Sequence, residues 1–195
     1  MDKQDVLKEF RDAKALLEGH FLLSSGLHSE MYLQCARVLM CPKRAARLCA
    51  TLAEKIKLTI DEQIDLVVSP AMGGVIVGYE MGRQLGINAI FTERVEGEFE
   101  LRRGFEIPQG ANILMAEDIV TTGLSSRECI ETITKYGGNV VAASCLVDRS
   151  NGKVDVGVPL TSLMGLEIPA YSKDNLPDHL KAREAVKPGS RDLKK

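Results

Sequence analysis

Ile113-Leu114-Met115-Ala116-Glu117-Asp118-Ile119-Val120-Thr121-Thr122-Gly123-Leu124-Ser125 is the stretch from which the rest of the chain can be read. Its apolar run predicts a buried strand, and that strand runs into two adjacent acids. A Thr-Thr-Gly-x-Ser turn follows, and residues 125–136 predict a helix closed by Gly137-Gly138. The first turn of a helix presents backbone N–H groups without intrahelical partners, at the positive end of the helix dipole. Gly123 lets the backbone come close to an anion, and Thr121, Thr122 and Ser125 add hydroxyl donors. A phosphate monoester fits that geometry. Glu117 and Asp118 would repel it, so they suit hydroxyls such as a ribose diol, or a hydrated cation. A ribose 5-phosphate satisfies both halves. The plainer alternative is a helix N-cap, with Glu128 three positions after Ser125 completing a capping box. It accounts for Ser125 and Glu128 and leaves the paired acids unexplained.

Outward from this stretch, strands and helices alternate. Residues 66–68 predict a short buried strand ended by Ser69-Pro70. Gly73-Gly74 opens a helix to about Leu85, and residues 89–91 and 140–147 predict further strands. Strands without polar alternation, separated by helices, imply a parallel sheet covered on both faces. Upstream, residues 5–17 carry apolar side chains at helical spacing, with Gly19 as the stop. Short apolar pieces around Ser24-Ser25-Gly26 predict a hairpin, and Pro42 opens a helix over 43–57. The N-terminal part therefore reads as a cap on the α/β unit. Residues 93–110 are polar, charged and punctuated by glycine.

Composition bounds the function. The 195 residues carry 25 Lys and Arg against 27 Asp and Glu, a net charge of −2, which disfavours extensive nucleic-acid binding. Residues 178–195 hold six Lys and Arg against three acids and read as a solvated tail. The five cysteines have no CxxC spacing and read as reduced thiols in a cytoplasm, without a zinc site or disulfide framework. Residues 1–11 lack an apolar signal core, and the longest apolar stretch, 140–147, is too short to span a bilayer.

The strand, the two acids and Thr121-Thr122-Gly123-x-Ser125 resemble the phosphoribosyl-pyrophosphate signature of the type I phosphoribosyltransferases. Three further segments resemble the orotate branch of that family. Gly19-His20-Phe21-x-Leu23-x-Ser25-Gly26-x-His28-Ser29-x-x-Tyr32 is similar to its hood, Pro70-Ala71-Met72-Gly73-Gly74 to its pyrophosphate loop, and Leu146-Val147-Asp148-Arg149 to its pyrimidine-contacting strand end. Val186-Lys187-Pro188-Gly189-Ser190-Arg191 is similar to endings in one bacterial branch.

The resemblance implies a single domain over 1–195. Its fold is α/β: a central, mostly parallel sheet flanked by helices, with a small hood from 1–40 and the C-terminal segment. It implies transfer of the 5-phosphoribosyl group from phosphoribosyl pyrophosphate to orotate, giving orotidine 5′-monophosphate in de novo pyrimidine (UMP) biosynthesis. The sugar pyrophosphate would lie on Glu117 through Ser125, including Ile119, Val120 and Leu124, and on Ala71, Met72 and Gly73. Orotate would meet Thr121, Arg149, Ser24, Ser25 and Tyr32. Glu117, Asp118, Arg94, Arg102 and Arg103 would carry catalysis, the arginines neutralising the leaving pyrophosphate. Magnesium would arrive with the substrate rather than in a protein cage. A homodimer is implied, with loop 94–104 acting as a lid shared across the interface. The chain departs from the family at Ser24 and Gly73, where lysines are frequent, and in the loop, where residues 91–97 hold Arg94 but no lysine or histidine and Arg102 and Arg103 would supply the missing positive charge. The rivals are a purine-specific enzyme, against which the hood and Arg149 argue, and a non-catalytic sensor controlling RNA or DNA. The sensor requires a basic face or an added domain that the charge and length do not provide.

Overall fold

The computed structural model describes residues 1–23 and 26–187. In chain order the elements are α1 (Lys3–Asp12), β1 (Leu16–Leu22), β2 (His28–Leu33), α2 (Cys35–Leu39), α3 (Pro42–Thr59), β3 (Leu66–Pro70), α4 (Gly74–Leu85), β4 (Asn88–Val95), β5 (Glu98–Leu101), β6 (Asn112–Val120), α5 (Leu124–Lys135), β7 (Asn139–Asp148), β8 (Leu160–Gly165), β9 (Ala170–Tyr171) and α6 (Asp178–Lys181). A six-stranded sheet has the order β5-β4-β3-β6-β7-β8. All its pairings are parallel except the edge pair β4–β5. The mostly parallel sheet that the pattern predicted is thus present.

Side-chain alternation along β6 builds two cores. Leu114 and Ala116 join Val67, Ala142, Leu146 and the buried faces of α1 to α4 on one side. Ile113 and Met115 join Val68, Ala143, Cys145 and the α5 residues Cys129 and Ile133 on the other. With both faces covered, β3, β6 and β7 have no solvated side, which is why they read as unbroken apolar runs. A smaller sheet, β1-β2-β9, forms the hood. Leu16 and Leu33, at its base, belong to the same core as Val67 and Leu114. Phe21 bridges to Val186, and the Val186 N–H and carbonyl bond His20 and Leu22, so the stretch 178–195 read as a solvated tail is docked on the hood as far as Val186, with Leu180 buried.

Several boundaries differ from the predicted ones. The first helix ends at Asp12 rather than reaching Leu17. Lys14 takes a left-handed φ of 51°, which breaks the helix, and Leu16 and Leu17 enter β1 with Gly19 inside that strand. The first half of the charged stretch 93–110, read as a lid with an exposed charged hairpin as the plainer alternative, is that hairpin: β4 runs on to Val95, turns at Glu96-Gly97 and returns as β5. Residues 102–111 then lead to β6 without a helix or strand. The short α2 and the strands β8 and β9 were not predicted, because Leu160-Thr161-Ser162-Leu163 has neither a clean alternation nor a long apolar run.

Candidate functional site

The parallel strands β3, β6 and β7 end on one edge of the sheet, and the loops that follow them converge there. Such an edge is the ordinary ligand site of an open α/β sheet. The two acids of β6 leave the strand in opposite directions, as its two-residue period requires. Glu117 turns toward α5, where its Oε2 accepts a hydrogen bond from the Ser126 hydroxyl at 2.5 Å. Asp118 turns toward the start of α4. A Cβ built on Gly73 would stand 2.8 Å from its Oδ1, so a larger residue there would have to push this carboxylate aside for the β3–α4 loop to lie against it. The loop is held from below as well, since Ala71 N–H donates to the Thr92 carbonyl at 2.8 Å. A lysine at position 73 would have no room without moving Asp118.

Burial dominates the electrostatics of both acids. It pushes the Glu117 carboxyl up to about 7, with the Ser126 hydroxyl and Arg94 opposing the rise and the Asp118 charge adding to it. It pushes Asp118 up to about 6, against hydrogen bonds from its own N–H and that of Ile119. The site is therefore short of positive charge, the state expected of a pocket shaped for hydroxyl donors or a hydrated cation.

The turn after β6 is built on Gly123, which has φ 72° and caps α5 with no side-chain hydrogen bond. Thr121 and Thr122 are exposed, and a small hollow runs from Glu117 along Ile119 to Ser126. The Ser125–Glu128 capping box is not formed; Glu128 instead pairs with Arg94. Ile119 and Val120 pack into the two cores, so within the predicted phosphoribosyl-pyrophosphate contacts they offer backbone rather than side chain. Leu124 is exposed and Met72 strongly so.

Arg149 follows β7, and its N–H donates to the Val120 carbonyl at 2.8 Å. Burial lowers its pKa. Its Nε is the one buried side-chain nitrogen or oxygen without a hydrogen-bond partner among the described residues. A buried guanidinium donor with nothing to donate to is the signature of a missing acceptor. Tyr32 lies in the hood with its ring 5.8 Å from Phe21. Ser24 and Ser25 lie outside the described residues.

The predicted loop arginines are on the β4–β5 hairpin and just beyond it, and two are paired. Arg94 lies 4.1 Å over the Phe99 ring, bonds the Gly97 carbonyl at 2.5 Å and forms an ion pair with Glu128. Arg103 forks onto Glu93 at 2.7 and 2.8 Å, which holds that carboxyl below its ordinary range. Arg102 is exposed. Sequence reasoning missed Ser126 and the Glu128 partner of Arg94. The doubled Ser125-Ser126 in the first helical turn was the available signal for the former.

The fold and this site define a phosphoribosyl-transferring class, and the chain belongs to the phosphoribosyltransferase family: residues 42–163 match its phosphoribosyl transferase domain. The orotate phosphoribosyltransferase of Novosphingobium aromaticivorans is 61% identical over 191 residues, covering 98% of each chain. The orotate phosphoribosyltransferase of Aeropyrum pernix is similar in structure, with a TM-score of 0.67 and 26% identity over 82% of this chain and 93% of that one. An adenine phosphoribosyltransferase shares the fold at a TM-score of 0.63 and 16% identity, over 80% of this chain and 99% of that one. The fold alone therefore does not select the base.

Because both carboxyls keep their protons to higher pH in the folded chain than in the unfolded one, the native state binds more protons between about pH 4 and 7. Stability without ligand then falls as pH rises through that window. Glu117→Gln removes one such group and keeps an acceptor for Ser126. Urea denaturation should find it more stable than the native chain at pH 8 by about 1–3 kcal/mol, with the gap closing near pH 4. Equal midpoints at pH 8 would contradict the desolvation of Glu117.

Proposed function

We infer that this enzyme transfers the 5-phosphoribosyl group from phosphoribosyl pyrophosphate to orotate, giving orotidine 5′-monophosphate and pyrophosphate in pyrimidine biosynthesis. The observation that carries the choice of base is full-length identity to orotate phosphoribosyltransferases, joined to the unpartnered Arg149 Nε at the strand end. A planar guanidinium matches the carboxylate and ring oxygens of orotate, which present acceptors in one plane.

In the transfer, the bond from the anomeric carbon to pyrophosphate breaks and a bond from that carbon to the orotate ring nitrogen forms. Positive charge builds on the sugar between the two events, as in glycosyl transfer. Glu117 and Asp118 accept hydrogen bonds from the ribose hydroxyls and place negative potential near that charge. The turn from Thr121 to Ser125 holds the 5′-phosphate with backbone N–H groups and hydroxyls, through backbone alone at Gly123. Ala71, Met72 and Gly73 flank the pyrophosphate.

Magnesium comes with the sugar pyrophosphate. No cluster of three or more His, Cys, Asp or Glu able to hold a metal occurs among the described residues, whereas the hard oxygens of Glu117 and Asp118 suit a hydrated ion bound mostly by substrate. When bound, the ion offsets charge on the departing pyrophosphate. Arg94, Arg102 and Arg103 add to that role. Releasing Arg94 and Arg103 from Glu128 and Glu93 is cheap, because exposed ion pairs are worth about 0–1 kcal/mol. Residues 94–104 would thereby close over the substrate and exclude water.

We read 1–195 as one catalytic domain with its hood drawn from 1–40 and the C-terminal segment. The functional unit proposed is a homodimer in which loop 94–104 serves the partner's site. Exposed Met72 in the β3–α4 loop and exposed Ile76 and Tyr79 on α4 provide an apolar seam that continues from the pyrophosphate loop. The setting proposed is cytoplasmic: the five cysteines are free, and no helix among the described residues is long and apolar enough to cross a membrane.

Loss of orotate absorbance in the presence of phosphoribosyl pyrophosphate and Mg²⁺, with adenine, hypoxanthine and uracil in parallel, tests this function. Orotate should be consumed in preference to the other bases, and Asp118→Asn should lower kcat/KM about a hundredfold or more with the fold intact. Turnover of a purine instead would overturn the base assignment. For the assembly, Tyr79→Glu should shift the sedimenting species from dimer to monomer; a native chain that sediments as a monomer at micromolar concentration would remove the shared loop.

A further inference from the structure

Asp148 closes β7 and is only 4% exposed, yet no part of the transfer just described uses its carboxylate. Three hydrogen bonds from one short loop converge on it. Oδ1 accepts from the Ser150 N–H at 2.8 Å and the Ser150 hydroxyl at 2.7 Å, and Oδ2 accepts from the Gly152 N–H at 2.7 Å. The Ser150 oxygen accepts in turn from the N–H groups of Lys153 at 3.1 Å and Val154 at 3.0 Å. Residues 148–154 are thus wound around one carboxylate. Within it Asn151 takes a left-handed φ of 54°, a turn conformation that asparagine adopts more readily than other non-glycine residues.

This loop touches both halves of the site. Arg149 lies between Asp148 and Ser150, so the carboxylate grips the chain on either side of it. Its own N–H is fixed to the end of β6 at Val120. At the other end of the loop, Val154 and Val156 back the phosphate turn. A Cβ on Gly123 would stand 2.5 Å from Val154 Cγ1 and 3.1 Å from Val156 Cγ1. Arg127 on α5 donates from Nη1 to the Asp155 carbonyl at 2.8 Å and ties the helix to the same segment. The guanidinium that faces the base and the turn that faces the phosphate therefore lean on a single support.

We propose that Asp148 is a positioning residue that sets the base and phosphate subsites together, through the loop wound on its carboxylate. The base half rests on the assignment of Arg149 to orotate made above; the phosphate half does not. Asparagine at 148 keeps the size and one acceptor but turns an N–H₂ group toward the Gly152 N–H, so donor faces donor. The loop then loosens, Arg149 loses its aim and Gly123 loses its backing.

The test compares Asp148→Asn, the milder Ser150→Ala and the control Arg149→Ala with the native enzyme. Steady-state rates are measured with orotate and phosphoribosyl pyrophosphate varied in turn. Calorimetry measures phosphoribosyl pyrophosphate with Mg²⁺ in the absence of any base. In Asp148→Asn the KM for each substrate should rise about fivefold to tenfold, the size expected for one lost buried hydrogen bond, with kcat within about threefold. Calorimetric affinity for the sugar pyrophosphate should fall by a similar factor. Ser150→Ala should show the same double effect more weakly, and Arg149→Ala should raise the orotate KM alone. A carboxylate that merely pegs a loop would lower the unfolding midpoint and leave both affinities unchanged, which would overturn the proposal. A rise in the orotate KM alone would overturn it as well. Should Asp148→Asn fail to fold, Ser150→Ala decides on the same two readouts. A native protein that does not consume orotate would instead overturn the proposed function, and with it the base half of this proposal.

Discussion

Two carboxylates are held out of water at the end of a buried strand, and most of the site follows from what that costs. An acid deprived of solvent either keeps its proton or finds partners, and Glu117 and Asp118 are only partly supplied. One hydroxyl, from Ser126, serves Glu117, and two backbone N–H groups favour the Asp118 charge. No arginine or lysine forms an ion pair with either acid among the described residues. In the proposed function a sugar diol and a hydrated cation satisfy the remaining acceptor capacity. The position of β6 in the sheet makes this possible. With β3 on one side and β7 on the other, its end is flanked by the β3–α4 loop and by Arg149.

Separation of charge does the rest. A phosphate cannot sit on two carboxylates, and a ribose cannot sit well on bare N–H groups, so one ligand carrying both must lie in a fixed direction. The acids and the Gly123 turn are consecutive in the chain, and their spacing is set by backbone geometry rather than by flexible side chains. Gly73 brings a second loop against Asp118 without inserting a side chain, which keeps the acid available to ligand. Arg94 and Arg103, meanwhile, are held on half-buried glutamates at the surface, and the proposed function releases them to an anion that arrives with the substrate.

The parts of this arrangement visible in the sequence were those where local rules and tertiary structure agree. The run 113–116 is unbroken because both faces of β6 are covered, and Gly123 is required both by its φ and by Val154 pressing on it. The parts that were hidden depend on partners far away in the chain. The β4–β5 hairpin is not separable from a charged lid by pattern alone, because it is an edge pair with charged residues along much of its length and only Thr92 and Phe99 buried. The Arg94–Glu128 pair spans 34 residues and leaves no local pattern. The short first helix was misjudged because Leu16 and Leu17 continue its apolar spacing while their burial comes from β1. The sequence resemblance offers Arg149 as a base contact, and only the structure shows that its Nε is buried and unpaired.

The most direct measurement is a carbon-13 NMR titration of the Glu117 and Asp118 side-chain carboxyls, without ligand and then with phosphoribosyl pyrophosphate and Mg²⁺. Without ligand the two should titrate near 7 and 6, and with ligand both should fall toward or below ordinary carboxylate values as hydroxyls and the cation reach them. Titration near 4 in the free protein, or no change on adding ligand, would contradict a desolvated pair awaiting the ribose and its metal.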